Sequence, residues 1–218
     1  MGAGVRFVCV GIGYIFGLFQ TSYIIGKMNG IDIRDHGSGN AGTTNMMRTM
    51  GAKAGVLTLL GDCFKCVFAV LFMQLLFGKS HADILPLLKF STAAGVILGH
   101  NFPFYLHFRG GKGIAASAGL GLAFHPIVFI LGLITFAAAF LITHYVSLGS
   151  LLIYAAVVVE LPILGQLGLF GMQQRYLNEL YIIAILLAIL AFYMHRENIK
   201  RLLSGTERKT YLSKKNKK

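Results

Sequence analysis

The sequence predicts an all-α polytopic membrane protein, and three observations carry that class. The 218-residue chain is 56% hydrophobic and only 13% charged, about half the charged share of a soluble domain. Its apolar residues gather in runs of about 20, the length that crosses a hydrocarbon core. Its twenty Lys and Arg, against eight Asp and Glu, collect in a few polar islands and in the tail.

Six runs are long enough to span. The first, about 4 to 26, continues into "YIIGKMNGIDIRDHG" without a small-residue cleavage site, so it is read as a retained span rather than a signal peptide. The second, about 54 to 78, holds Cys63 and Cys66, which with Cys9 suit packing and form no disulfide framework or zinc pattern. It also holds Asp62 and Lys65, three apart and able to pair. The third, about 84 to 104, carries Lys89 and ends at "GHNFPF"; the others run from about 126 to 144, 147 to 167 (with Glu160) and 177 to 195. A seventh piece, "GIAASAGLGLAF" at 113 to 124, would rise only about 18 Å as a helix against a core of about 30 Å.

Charge decides whether that short piece crosses. If it does, the loops 27 to 53 and 105 to 112 and the tail after His195 share one side with fifteen Lys and Arg, leaving Arg6, Lys79 and Arg175 on the other. If it turns back, nine tail charges move away from the first two islands, against the positive-inside rule. Seven transmembrane helices are therefore expected, one of them short, with the N-terminus outside and the C-terminus cytoplasmic. The short helix must be tilted, extended by its flanks or sheltered by neighbours. The chain reads as a single membrane domain, 1 to 218, with a basic, flexible cytoplasmic tail from 204 to 218.

This topology brings three islands to one face. In "GSGNAGTTNMMRTMG" (37 to 51), Gly37, Gly39 and Gly42 free the backbone to present N–H groups to an anion, and Thr44 and Arg48 share a helix face beside Asn45 if a helix starts near Thr43. In "GHNFPFYLHFRGGKGIAAS" (99 to 117), Gly110, Gly111 and Gly113 surround Lys112 just before a helix start, where an anion is favoured, and His100 ends the preceding span. The spacing is not that of the nucleotide-binding P-loop. In "HRENIKRLLSGTERK" (195 to 209), His195 and Asn198 lie three apart on one face, with Lys200 and Arg201 beyond. Each island alone also fits a plainer account: a capped helix start, a surface turn, an interfacial histidine, and, for Arg196, Lys200, Arg201 and "KKNKK", a basic anchor on anionic lipid.

Together and in this order, "SGNAGTTNMMR", "GHNFPFYLHFRGGKG" and "HRENIKRLLSGTE" resemble the signature motifs of the acyl-phosphate:glycerol-3-phosphate acyltransferases, the bacterial PlsY family. The likeness extends to "IGKMNGIDIRDHGSGN" and to "HYVSLGS" (144 to 150), nearly the whole chain. It departs at "DCFKC", where the family commonly has glycine after the lysine, and near Gln20, where a proline is often found.

The resemblance implies transfer of a fatty acyl group from acyl phosphate to the 1-hydroxyl of sn-glycerol 3-phosphate, giving lysophosphatidic acid and inorganic phosphate. This is the first step of bacterial phospholipid synthesis, placed at the cytoplasmic face of the plasma membrane. Expected partners are the two substrates, the bilayer and a soluble enzyme supplying acyl phosphate; no cofactor, metal or nucleic acid is expected. Lys112, Arg48, Asn198 and His195 are the implied catalytic residues. Ser38, Gly39, Asn40, Gly42, Thr44, Asn45, His100, Gly110, Gly111, Gly113, Ser147 and Glu207 are the implied substrate and phosphate-binding set. His195 is the expected general base, with the substrate's own phosphate as the rival proton acceptor.

Three other classes fit less well. A transporter for an organic phosphate would place its ionisable residues near the midplane, whereas here only Asp62, Lys65, Lys89 and Glu160 are charged residues lying within spans away from their ends. No His has an Asp after four intervening residues, as an H-x-x-x-x-D acyltransferase requires. Eight acidic residues do not supply the aspartate-rich metal motif of CDP-alcohol phosphotransferases.

Overall fold

A computed structural model describes residues 3–211, and within them every regular element is helical. The ten α-helices are α1 (Ala3–Gly17), α2 (Thr21–Met28), α3 (Thr43–Met50), α4 (Ala52–Phe77), α5 (Leu85–Asn101), α6 (Ile114–Phe124), α7 (Pro126–Thr143), α8 (Val146–Gln166), α9 (Gln174–Met194) and α10 (Arg196–Leu203). Six segments are long and apolar enough to cross a membrane: Gly4–Met28, Ala52–Phe77, Ala82–Leu106, Pro126–Thr143, Val146–Gln166 and Gln174–Met194. Outward-facing side chains such as Phe7, Leu75 and Ile142 stay largely exposed, as a lipid-facing surface does. The chain is a multi-pass membrane protein.

At the centre stands α5, with thirteen of its seventeen residues buried. It meets α1 along small residues: a Cβ on Gly13 would strike the Thr92 carbonyl, and one on Gly95 the Val10 carbonyl. Such close backbone approach is how helices associate where lipid offers no hydrophobic drive. Phe90, Leu87, Val96 and Ile97 of α5 pack with Ala116 and Leu120 of α6 and Leu187 and Ala191 of α9 in one core.

The first expected span is not continuous. It breaks between α1 and α2 at residues 18 to 20, and the carbonyls freed there are taken up by partners from other elements. Lys65 Nζ donates to the oxygens of Gly17 (3.3 Å) and Phe19 (2.6 Å), and Tyr105 Oη donates to the Leu18 oxygen at 2.7 Å. Asp62 balances the ammonium at 2.9 Å and also accepts from Thr21 Oγ1 at 3.0 Å. Lys65 Nζ lies 2.8 Å from His100 Nδ1 as well. Asp62 and Lys65 do pair, but within a larger polar cluster that replaces the helix hydrogen bonds lost at the break.

The short helix α6 works because its approach loop folds back into the protein. Gly110 N and Gly111 N donate to the carbonyls of Asn101 and His100 (both 3.1 Å), and Tyr14 Oη donates to the Phe102 oxygen at 2.8 Å. Irregular backbone of this kind is tolerated at depth only when sheltered by protein. The other end of α6 reaches the opposite end of the bundle: Phe124 packs against Phe90, near the start of α5, and against Phe170, in the turn between α8 and α9 (centroids 5.3 and 5.1 Å). That end also holds Arg6 near the start of α1, bound to Glu179 at 2.7 Å. The starts of α3, α6 and α10 therefore share the end away from the first helix's start. The expected tail lies only partly within the described residues, since 212 to 218 fall outside them.

Candidate active site

The first island is built by a folded loop rather than by a helix start alone. Asp32 accepts from Arg34 N and Nε (both 3.0 Å) and from Nη2 (2.7 Å), and this bonding to Arg34 holds its carboxyl at about 2. Arg34 Nη1 reaches the Leu106 carbonyl at 3.1 Å, tying the first island to the second. Asn45, buried at the start of α3, spends its amide on the same loop: Nδ2 donates to the Ile33 and His36 carbonyls (3.1 and 2.9 Å), and Oδ1 accepts from Ser38 N at 2.8 Å. Where phosphate binding was expected of Asn45, the structure gives it the work of shaping the loop. Gly37 (φ +63°) sits where a Cβ would overlap that amide.

Ser38, Gly39, Asn40 and Gly42 line this loop, and Thr44 and Arg48 follow on α3. Arg48 Nη2 donates to Thr210 Oγ1 at 3.0 Å and lies 3.4 Å from the Arg208 carbonyl. Partial burial, then the charge of Arg208, push its pKa down from the usual guanidinium value. Sequence reasoning passed over Thr43, whose hydroxyl is buried and unpartnered among the described residues.

In the second island, two of the expected anion donors are already engaged. The N–H groups of Gly110 and Gly111 serve the turn, so the donors left at this loop are those of Lys112, Gly113 and the first turn of α6, which no helix carbonyl satisfies. Gly113 caps that turn at φ +82°. His100 is buried with Lys65 on its Nδ1, and its Nε2 stands against Gly111. A methyl at Gly111 would strike His100 Nε2 and the Ala41 carbonyl. Gly111→Ala is therefore expected to displace Lys112 and lower turnover roughly 100-fold, as an ångström-scale misplacement does. Steady-state rates beside a detergent melting curve check it; unchanged turnover removes this packing constraint.

The second and third islands meet at Lys112. Its Nζ donates to Asn198 Oδ1, while Asn198 Nδ2 donates to Glu207 Oε1 at 2.7 Å. Ser147 Oγ at the start of α8 bonds the same Glu207 oxygen at 3.0 Å, and Arg201 Nε bonds the other at 2.7 Å. Burial raises the Glu207 carboxyl, but the bonds from Asn198, Arg201 and Ser147 outweigh it and hold it below its usual value. Burial first, then Arg201, push Lys112 down to about 8. His195 is 3% exposed, and burial followed by the charge of Lys112 push it down to about 4. Its Nδ1 lies 2.7 Å from the Ala191 carbonyl, which can only accept, so Nδ1 carries the proton and Nε2 keeps its lone pair.

Behind Lys112 opens an apolar cleft of about 370 Å³. It runs along α6 from Ile114 to Gly121, walled by Leu59 of α4, Ile97 of α5, Phe136 of α7 and Ile153 of α8.

A cationic loop next to an apolar slot suits a substrate with a phosphate at one end and a chain at the other. Residues 7–205 match the family model described as glycerol-3-phosphate acyltransferase. The chain belongs to the glycerol-3-phosphate acyltransferase family. Within it, a glycerol-3-phosphate acyltransferase of Clostridioides difficile (strain 630) is 42% identical over 200 residues, covering 91% of this chain and 92% of that one. One from Alkaliphilus metalliredigens (strain QYMF) is 40% identical, covering 90% and 91%. The crystal structure of PlsY, an integral membrane glycerol 3-phosphate acyltransferase, in its glycerol 3-phosphate form superposes with a TM-score of 0.81 at 32% identity, covering 94% of this chain and 96% of that one. Its lysophosphatidic acid form gives 0.78. For a member of this acyltransferase family, Arg201 is the residue sequence reasoning undervalued: read as a lipid anchor, it instead clamps Glu207. The signal was Glu207 itself, one of only two acids in a tail of nine cations.

Proposed function

We propose that the chain, as one membrane domain, transfers a fatty acyl group from an acyl phosphate to the 1-hydroxyl of sn-glycerol 3-phosphate, giving lysophosphatidic acid and phosphate. The observation that carries this reading is the meeting of Lys112, Asn198 and Glu207 just ahead of Ile114, where the lining of the apolar cleft begins along α6. The clustering of Lys and Arg at that end supports a cytoplasmic active site in a bacterial plasma membrane, with the C-terminus inside and the N-terminus outside. A soluble enzyme on that side would then supply the acyl phosphate. The basic residues from 204 on form the cytoplasmic tail.

The donor is a mixed anhydride with a good leaving group, so positioning and charge neutralisation suffice without a covalent enzyme intermediate. Ser38, Thr44 and Arg48 bind phosphate beside the first turn of α6. Lys112 offsets charge on the departing phosphate, and Asn198 orients the acceptor hydroxyl. The test is phosphate release by detergent-solubilised protein given palmitoyl phosphate, with and without glycerol 3-phosphate, and palmitoyl-CoA in parallel. Release that requires both palmitoyl phosphate and glycerol 3-phosphate is expected. If neither donor reacts while glycerol 3-phosphate crosses proteoliposomes, the protein is a transporter.

The pKa of His195 favours a second account of the base. At about 4 the imidazole is neutral at working pH but a poorer proton acceptor than a phosphate monoester dianion, whose second pKa is near 6. The acceptor's own phosphate then takes the hydroxyl proton, and His195 Nε2 orients the hydroxyl. His195→Gln, which keeps an acceptor, is expected to leave kcat within about tenfold and an acid limb near pH 6 in place. Loss of that limb together with a fall beyond about 100-fold would return the role of base to His195.

A further inference from the structure

Asn101 has no role in the mechanism above, yet it is placed as few groups in the protein are. It ends α5, is 1% exposed, and among the described residues neither Nδ2 nor Oδ1 has a hydrogen-bond partner. A buried amide with both ends unmet costs stability, so its retention calls for an explanation. Its main chain is engaged, with the carbonyl accepting from Gly110 N at 3.1 Å. Its side chain is the free part.

That side chain lies at a junction. A Cβ built on Gly113, the cap of α6, would stand 2.9 Å from Asn101 Oδ1 and 3.0 Å from Ile97 Cγ2. Ile97 and Ile114 line the apolar cleft, while Lys112 precedes Gly113 on the other side. In an acyl phosphate, the carbonyl is the atom group between chain and phosphate. With the chain in the cleft and the phosphate at the Lys112 loop, the carbonyl falls beside the Asn101 amide and the unsatisfied N–H groups of the first turn of α6.

We infer that Asn101 is a catalytic residue whose side-chain amide, with the first-turn N–H groups of α6, binds the oxygen of the acyl carbonyl as it becomes an oxyanion. The inference rests on the acyltransfer reading. As the glycerol hydroxyl oxygen bonds to the carbonyl carbon, the C=O electron pair moves onto that oxygen and the hydroxyl proton passes to the base. When the pair returns, the carbon–oxygen bond to phosphate breaks and phosphate leaves. Before substrate arrives, loop 110–113 lies against the amide, and its three glycines let it shift as the donor enters.

The test is kinetics and thermal melting of Asn101→Ala and Asn101→Asp beside the parent. Losing one donor aimed at an oxyanion lowers kcat about 100-fold or more. Because the amide has no partner to lose, the Ala variant should melt at or above the parent temperature. The Asp variant keeps the shape but not the N–H donors, so its kcat should fall similarly while KM for glycerol 3-phosphate stays within a few-fold. If either variant turns over like the parent, or if activity falls only in proportion to a lowered melting temperature, the assignment is overturned. Parent activity is measured first: parent turnover with unaffected variants rejects Asn101 alone, whereas an inactive parent rejects the acyltransfer reading.

Discussion

Lys112→Ala is expected to lower turnover more than about 100-fold with palmitoyl phosphate as donor, the cost of removing one preorganised donor from developing charge. The side chain is held by Asn198, so its loss removes a charge already in place. The parent protein should also lose activity above about pH 8, where burial makes Lys112 shed its proton. Lys112→Arg should move that limb upward, since a guanidinium stays charged. Initial rates of phosphate release from pH 6 to 10 measure both effects. A parental rate in the Ala variant would remove Lys112 from the mechanism.

Glu207→Ala comes next, with an expected loss in kcat/KM of roughly 100-fold, as for an interaction that holds catalytic groups in register. One carboxylate receives Ser147, Asn198 and Arg201, so its removal releases the Asn198 amide and leaves Arg201 unpaired beside Lys112. Glu207→Gln separates charge from geometry. Glu207 raises the pKa of Lys112, so neutralising it should lower that pKa further and move the alkaline limb below the parental value. A limb that stays put, or moves upward, would show that Glu207 acts through shape alone.

Part of this site could be read directly. Lys112, Arg48, His195 and Asn198 are polar groups in a chain with few of them, and charge placement alone brought their three islands to one end. Backbone bookkeeping could not be read: whether an N–H is free depends on where the chain folds back. Gly110 and Gly111 were expected to hold phosphate but bond the end of α5, and Asn45 closes the loop that precedes it. Asn101 stands inside a recognised motif, yet its unmet amide is visible only once its neighbours are placed. The break in the first span carries no proline, and its one trace in the sequence is the polar trio Gln20, Thr21 and Ser22 inside an otherwise apolar run. The side chains that receive its freed oxygens, Lys65 and Tyr105, stand far along the chain.

That distance has a consequence for biogenesis. While the ribosome has delivered only the first segment, Gln20 can reach the Gly17 oxygen but the donors that meet those of Leu18 and Phe19, Tyr105 and Lys65, are not yet present. A newly inserted segment in lipid then satisfies its own backbone, and residues 4 to 28 are long enough to do so as one unbroken helix. Lys65 must follow it into the bilayer, and Tyr105 later still, before the break can form. The loops of the candidate site behind α2 thus reach their observed positions only after three segments have met, and a half-made chain carries no assembled site.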